Sequence, residues 1–191
     1  MILMSEKDYT GALKVHSQFK DLNEVQQKQI STPAAQQLIA LVDVKANFFQ
    51  AQSLIADGKL AEAYIHLSSA IKASSATAYQ DYLKKTTDPL PLTEYAHIKR
   101  GIASLSLGGE HLATAVEDFQ AASKHPKLKK TATSYENAAK LLAQAQKLYD
   151  QGDMKEALKV FYDVFYVHDK VKEAHSYAEK MIKTIKEKQS K

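Results

Sequence analysis

The chain has 191 residues, 45% of them hydrophobic and 25% charged, which is enough apolar material for one ordinary domain or a short helical array. The absence of cysteine excludes disulfides, thiolate metal sites and a cysteine nucleophile. The formal net charge of +4 equals the balance of residues 170–191 alone, where seven lysines accompany three glutamates, so the rest of the chain is neutral overall.

The sequence offers no membrane segment and no secretory signal. No stretch approaches the roughly 20 apolar residues that a membrane helix needs. The apolar start Met1–Met4 is followed at once by the polar run Ser5–Asp8 and is too short for a signal peptide. We therefore expect no membrane span and a cytoplasmic location, with a nuclear location as the alternative.

Composition and periodicity favour helices along the whole chain. Six glycines and four prolines are few for this length, and apolar residues recur at helical spacing between them. We predict an all-α fold in a single domain over residues 1–191. In chain order, its predicted units are a half-unit over 5–30, a hairpin over 33–74 with an extension to 85, hairpins over 93–124 and 130–167, and a capping helix over 171–188.

Local signals mark the ends of these units. Thr32-Pro33 is typical of a helix start, with an N-cap followed by proline in the first turn. Both prolines of Thr86–Pro91 disfavour helix, so this segment is the clearest linker in the chain. His125-Pro126 ends the second hairpin.

A short phrase repeats along the chain and indicates a recurring supersecondary unit. Asp57–Ala63 and Gln151–Ala157 share a turn glycine followed at a fixed offset by alanine, and Gly108–Ala115 repeats the phrase with one more residue in the turn. The corresponding alanines, Ala12, Ala63, Ala115 and Ala157, are 51, 52 and 42 residues apart.

Two segments that follow turns resemble the start of the second helix in the tetratricopeptide repeat family: Ala-Glu-Ala at 61–63 and Lys-Glu-Ala at 155–157. Arg100–Ala103 and Ala115–Phe119 also resemble units of repeat-containing co-chaperones. The resemblance implies a helical-hairpin solenoid with a right-handed superhelix and a protein-binding concave groove. The spacing exceeds the family period of about 34 residues, so the repeats are irregular.

The amino terminus carries only half of the phrase. Gly11-Ala12, followed by His16 and Phe19, matches the second arm of a hairpin whose first arm would precede Met1. We expect the chain to be a piece of a larger repeat protein; the alternative is that this helix is an atypical cap.

Catalytic patterns are sparse, and we expect no enzymatic activity, cofactor or metal. Glu94-Tyr95-Ala96-His97 has the spacing of a di-metal bundle motif, but such sites need a second copy that the chain lacks. We interpret this segment as an exposed helix start with a capping glutamate. Few arginines and no alternation of basic with aromatic residues argue against nucleic-acid binding.

The family resemblance implies which residues line a groove, because the first helix of each pair usually faces the concave side. The candidates for partner binding on that basis are Lys45, Phe48, Gln52, Lys99, Leu142, Gln146 and Tyr149. Among them, Phe48, Leu142 and Tyr149 are the expected apolar anchors, and the lysines would attract acidic flanks. The residues at the matching places differ from the clamp with which the family's co-chaperones grip heat-shock chaperones, which argues against that partner.

The sequence therefore predicts a protein-interaction scaffold that binds a peptide or helix of a partner protein. The alternative is a structural role, in which the half-unit 5–30 associates with another copy or completes a larger repeat protein. A third and weaker alternative is a metal-dependent helical-bundle enzyme.

Overall fold

A computed structural model of the protein describes residues 32–87, 91–168 and 170–190. Within these ranges the chain forms eight α-helices and no β-strand, which confirms the all-α prediction for this part. The helices are α1 (Pro33–Ala56), α2 (Leu60–Ser74), α3 (Thr77–Lys85), α4 (Leu92–Leu107), α5 (His111–Ser123), α6 (Lys129–Asp150), α7 (Met154–Val167) and α8 (Lys172–Gln189). The predicted half-unit 5–30 lies outside the described residues.

The helix ends follow the chemistry that the sequence indicates. The Thr32 hydroxyl accepts a hydrogen bond from the Ala35 amide at 3.2 Å and caps α1. Asp153 caps α7 in the same way, accepting from the Glu156 amide at 3.4 Å. Gly58 and Gly152 have φ of 74° and 84°, the left-handed conformation in which glycine ends a helix without steric cost.

The described residues up to Ala96, 32–87 and 91–96, form one compact unit. Here α1 packs along α2 and α3, and the stripe of apolar residues on each helix meets in one core. The fully buried side chains of this core are Val44, Ala51, Ala63, Leu67, Ala70 and Ala96, with Tyr79 at 1% exposure. Leu67→Ala should lower the free energy of unfolding by about 2–5 kcal/mol, as such truncations do in packed cores.

The segment that the sequence presents as an extension to residue 85 is a separate helix. The chain leaves α2 at Ser74 and Ser75, whose hydroxyls bond to the carbonyls of Ile71 and Lys72 at 2.7 Å each. Ala76 then adopts an extended conformation, with φ −63° and ψ 137°, before α3 begins. Helical composition alone does not reveal this break, because serine is tolerated within helices as well as at their ends.

The described residues from His97 onward, 97–168 and 170–190, form a second compact unit, which contains most of α4 and all of α5–α8. α5 packs on α6, α6 on α7, and α7 on α8. The central buried residues of this unit are Leu105, Leu112, Phe119, Leu142, Phe161 and Ile185. α8 contributes six buried residues to this core and is therefore an integral part of it.

Close packing of α4 depends on small residues. A Cβ atom on Gly101 would lie 2.7 Å from the Phe119 ring of α5. A Cβ atom on Gly108 would lie 1.9 Å from the Tyr177 ring of α8, and Gly108 also has φ 70°. These two glycines allow aromatic rings from α5 and α8 to lie directly against α4 and the turn that follows it.

No helix in the described part of the chain combines the length and apolar character needed to cross a bilayer.

Candidate functional site

Asp118 of α5 is a buried carboxylate held by two basic side chains of α4. The Arg100 guanidinium donates from Nε to Oδ2 at 2.9 Å and from its terminal nitrogen to Oδ1 at 2.8 Å. The His97 Nδ1 atom lies 2.7 Å from Oδ1. The Asp118 side chain is 1% exposed, and those of His97 and Arg100 are 18% and 17% exposed. The group therefore occupies the α4–α5 contact with little access to solvent.

This arrangement corrects the interpretation of Glu94–His97 as an exposed helix start. His97 and Arg100 are one turn apart on α4 and face the same carboxylate, so His97 contacts the buried ion pair between Arg100 and Asp118. Both carboxylate oxygens are occupied, and a bidentate arginine fixes the angle at which the two helices meet. We assign the cluster to positioning α4 against α5.

In the first unit, the predicted groove residues divide into one core residue and two half-buried polar ones. Phe48 is 4% exposed and its ring meets Phe49 edge-on at 5.6 Å, so it packs in the core and is not available as an anchor. Lys45 and Gln52 are half-buried on α1. The apolar stripe of α1 faces α2 and α3, which explains why a large aromatic residue on it is enclosed.

In the third hairpin, the predicted groove residues contact α8. Leu142 is fully buried, so this second expected anchor is also a core residue. The Gln146 carbonyl accepts from the Tyr177 hydroxyl at 2.7 Å, and the Tyr149 hydroxyl accepts from the Lys188 ammonium at 2.5 Å. The face of α6 that we expected to meet a partner therefore meets the chain's own last helix.

Tyr177 links three elements of the second unit. Its hydroxyl accepts from the Gly109 amide at 3.0 Å, while it donates to Gln146, and its ring covers Gly108. Burial raises the pKa of Tyr177 above its usual value, although the Gly109 hydrogen bond opposes this. One side chain of α8 thus secures the α4–α5 turn and the last turns of α6.

A cleft of about 290 Å³ opens between the end of α4 and the first half of α8. Ser106 lines it from α4, and the residues that line it from α8 are Lys172, Glu173, Ser176, Tyr177 and Lys180. Lys99, a predicted groove residue, is seven positions before Ser106, so both lie on one face of α4 about two turns apart. The predicted groove face of α4 therefore continues into this cleft.

The charges in this cleft favour an anionic group. Lys172 and Lys180 are exposed, and neither forms an ion pair with a described residue. The only carboxylate in the lining is Glu173, and one of its oxygens accepts from the Tyr135 hydroxyl at 3.3 Å. The same contact raises the pKa of Tyr135, after the larger effect of burial. Two unpaired ammonium groups thus face a space whose single acid already has a partner.

A second cleft, of about 400 Å³, lies between the start of α5 and the end of α6. Glu110, Lys147 and Asp150 line it, so both signs of charge are present within it. The Asp150 carboxylate accepts from the Gln146 amide at 2.8 Å. This mixture of charges gives no preference for one class of ligand.

Among the described residues, no group of three or more histidine, aspartate or glutamate side chains lies close enough to hold a metal ion. Comparisons of the chain with protein-family models, curated proteins and solved structures gave no match. The likeness to tetratricopeptide repeats therefore stays a prediction based on the repeated phrase.

One feature of the sequence indicates the Asp118 cluster: a charged residue on an otherwise apolar helix stripe. Asp118 falls on the stripe formed by Ala115, Phe119 and Ala122, where a charged residue can be buried only if a cation faces it. The lysines of the α4–α8 cleft carry no such signal, because it takes the fold to bring Lys172 and Lys180 opposite Ser106.

Proposed function

We propose that the protein is a non-enzymatic scaffold that binds an acidic segment of a partner protein in the α4–α8 cleft. The observation that carries this proposal is the pair of unpaired lysines, Lys172 and Lys180, that face the cleft. Lys99 extends the positive charge along α4. The expected apolar anchors Phe48 and Leu142 have no part in it, because both are core residues.

The size of the cleft suits side chains of a peptide. At about 290 Å³ it is at the lower limit of the roughly 300–1,000 Å³ typical of small-molecule sites. One or two aspartate or glutamate side chains fill such a space, with their carboxylates between Lys172 and Lys180. Ser106 and Ser176 supply hydroxyls that donate to the same oxygens or to the peptide backbone.

Binding of this kind depends on rigid walls. Tyr177 forms one wall and is held by Gly109 and Gln146, so the cleft exists before a partner arrives. A preformed site loses less conformational entropy on binding than a flexible one. Exposed lysines also accelerate encounter with acidic segments, in a manner that salt weakens.

The experiment is a selection from a random peptide library displayed on phage, with the full chain as bait. The test variant is Lys172→Glu/Lys180→Glu. The control is Lys127→Glu/Lys130→Glu, which makes the same charge change at exposed positions of the α5–α6 connection and the α6 start. Lys130 and Lys172 lie in the first turns of α6 and α8, where glutamate is favourable for the helix dipole. Glutamate is also a good helix former within α8 at Lys180, so neither variant should unfold its helix.

We expect the wild-type chain and the control to enrich peptides rich in aspartate and glutamate. A selected peptide should bind the test variant at least about tenfold more weakly, a loss of roughly 1.4 kcal/mol. Enrichment of peptides without acidic residues, or equal affinity for the two variants, would refute the assignment of this cleft.

A further inference from the structure

The end of α7 carries an exposed group of aromatic and aliphatic side chains. Tyr166 and Val167 are 71% and 68% exposed, the largest values for any large hydrophobic residue in the described part of the chain. The Tyr162 ring stacks on Tyr166 with centroids 5.9 Å apart, and Phe165 meets Tyr166 edge-on at 5.2 Å. Single exposed hydrophobic residues are common, whereas a contiguous group indicates an interaction surface.

Contacts from α8 hold this group in place. The Phe165 ring stacks on the His175 ring with centroids 4.1 Å apart. The Lys186 ammonium lies 5.4 Å from the centroid of the Tyr162 ring. Because the rings are fixed before any partner binds, little side-chain entropy remains to be lost in an interface.

Two opposite charges lie on the same face of α7, one before the aromatic group and one within it. Lys159 and Asp163 are both exposed and lie one turn apart. The carboxylate paired with Lys159 is that of Glu156, at the long distance of 3.9 Å. Asp163 forms no ion pair with any described residue. Asp163 is therefore available to a partner, and Lys159 can exchange its long contact with Glu156 for a closer one.

The order of these charges makes the face complementary to itself. When two copies of a helix pack antiparallel about a two-fold axis, every contact between them occurs twice. If one residue of the first copy faces a second residue of the other copy, the symmetry-related pair makes the same contact. An axis between Lys159 and Asp163 places each lysine opposite the aspartate of the other copy. The same axis places Tyr162 beside the centre of the contact and the Tyr166 of each copy at its two ends.

We propose that this surface of α7, defined by Lys159, Tyr162, Asp163, Tyr166 and Val167, binds a second copy of the chain. α7 has 14 residues and is about 21 Å long, so one helix pair buries less than the roughly 1,600 Å² of a standard interface. We therefore expect a dimer with a dissociation constant on the order of micromolar. The α4–α8 cleft takes no part in this contact.

The test is sedimentation equilibrium of the full chain from about 1 µM to 1 mM, a range that spans such an affinity. The wild-type chain should change from monomer to dimer. Lys159→Asp alone and Asp163→Lys alone each place like charges opposite one another, and each should weaken association at least about tenfold. The double variant Lys159→Asp/Asp163→Lys exchanges the charges and should restore association to within a few-fold of wild type.

A second pair of variants tests the aromatic contact. Tyr166→Ser should abolish the dimer, whereas Tyr95→Ser, which removes another exposed tyrosine from α4, should leave it unchanged. Circular dichroism of each variant establishes that it remains folded. A chain that stays monomeric at every concentration, or a double variant that associates no better than the single ones, would overturn the proposal. Either result would leave peptide binding by Lys172 and Lys180 unaffected.

Discussion

Individual residues decide how closely the helices of the second unit approach. Gly108 combines two demands, since its φ of 70° favours glycine and the Tyr177 ring occupies the space of a side chain. Gly152 has φ 84°, but nothing lies within 4 Å of the position that a Cβ atom would take. Substitution of Gly152 therefore measures the conformational cost of a side chain at positive φ, and substitution of Gly108 adds the steric cost of the Tyr177 ring.

Gly108→Ala should destabilise the protein much more than Gly152→Ala. We expect about 1 kcal/mol for the conformational cost at Gly152. At Gly108 we expect about 3 kcal/mol or more, because Tyr177 must move and release its hydrogen bonds. Urea unfolding followed by circular dichroism measures both, and equal losses for the two variants would contradict the packing of Tyr177 against this turn.

Asp118 is a second single residue that we expect to contribute strongly to the free energy of unfolding. Asp118→Asn removes the charge that compensates Arg100, and breaking a buried ion pair in this way costs about 3–5 kcal/mol. The neighbouring change Glu117→Gln, at an exposed position, should alter stability by less than about 0.5 kcal/mol. Similar unfolding free energies for the two variants would show that the Asp118 carboxylate is not buried as described.

At the scale of elements, the sequence predicts the all-α character of the described residues, and several helix ends have strong local signals. The caps at Thr32 and Asp153 and the glycines of the turns are readable from neighbouring residues alone. The break between α2 and α3 was missed, because its serine hydroxyls bond to nearby carbonyls in a way that serine within a helix also does.

Which face of a helix is covered proved harder to predict than where the helix lies. Periodicity finds an apolar stripe, but it does not distinguish a stripe that packs in a core from one that meets a partner. Phe48 and Leu142 were assigned to a groove on family likeness and are enclosed. Gln146 and Tyr149 contact α8, a helix whose position depends on interactions 31 and 39 residues away along the chain.

The hydroxyl of Tyr177 should account for much of the link between α8 and the rest of the second unit. Tyr177→Phe keeps the ring over Gly108 but loses the hydrogen bonds to Gly109 and Gln146. We expect a loss of about 1–3 kcal/mol, because buried polar groups are left without partners. Amide exchange at Gly109 should also accelerate, and unchanged exchange there would contradict the hydrogen bond.

At the scale of the whole molecule, tyrosine burial makes stability depend on alkaline pH. Burial raises the pKa of Tyr79, Tyr135 and Tyr177 above the usual value of 10.0. The fold therefore favours the neutral hydroxyls, so their contribution is complete below pH 10 and is lost as pH rises through the higher folded-state values. We expect the free energy of unfolding to fall as the pH rises above about 10.

The variant Tyr177→Phe provides the control for this dependence, because it removes one of the three titrating groups. Its unfolding free energy, measured in urea at the same pH values, should fall less steeply than that of the wild-type chain. Equal slopes would mean that the ionisation of Tyr177 is not coupled to folding.

Glu136 gives the opposite pH dependence at acidic pH. Its pKa is lowered, chiefly by its hydrogen bond with Lys140, so its contribution to the free energy of unfolding is lost as the pH falls below about 4.5.

The proposed function concerns one face of the second unit, and amide hydrogen exchange with a bound acidic peptide tests it most directly. A peptide enriched by the full chain should slow exchange at residues 103–107 of α4 and 172–181 of α8, which border the cleft. Exchange in α1–α3 should be unchanged. Protection confined to other helices, with none at the end of α4 or the start of α8, would contradict the assignment of the cleft as the binding site.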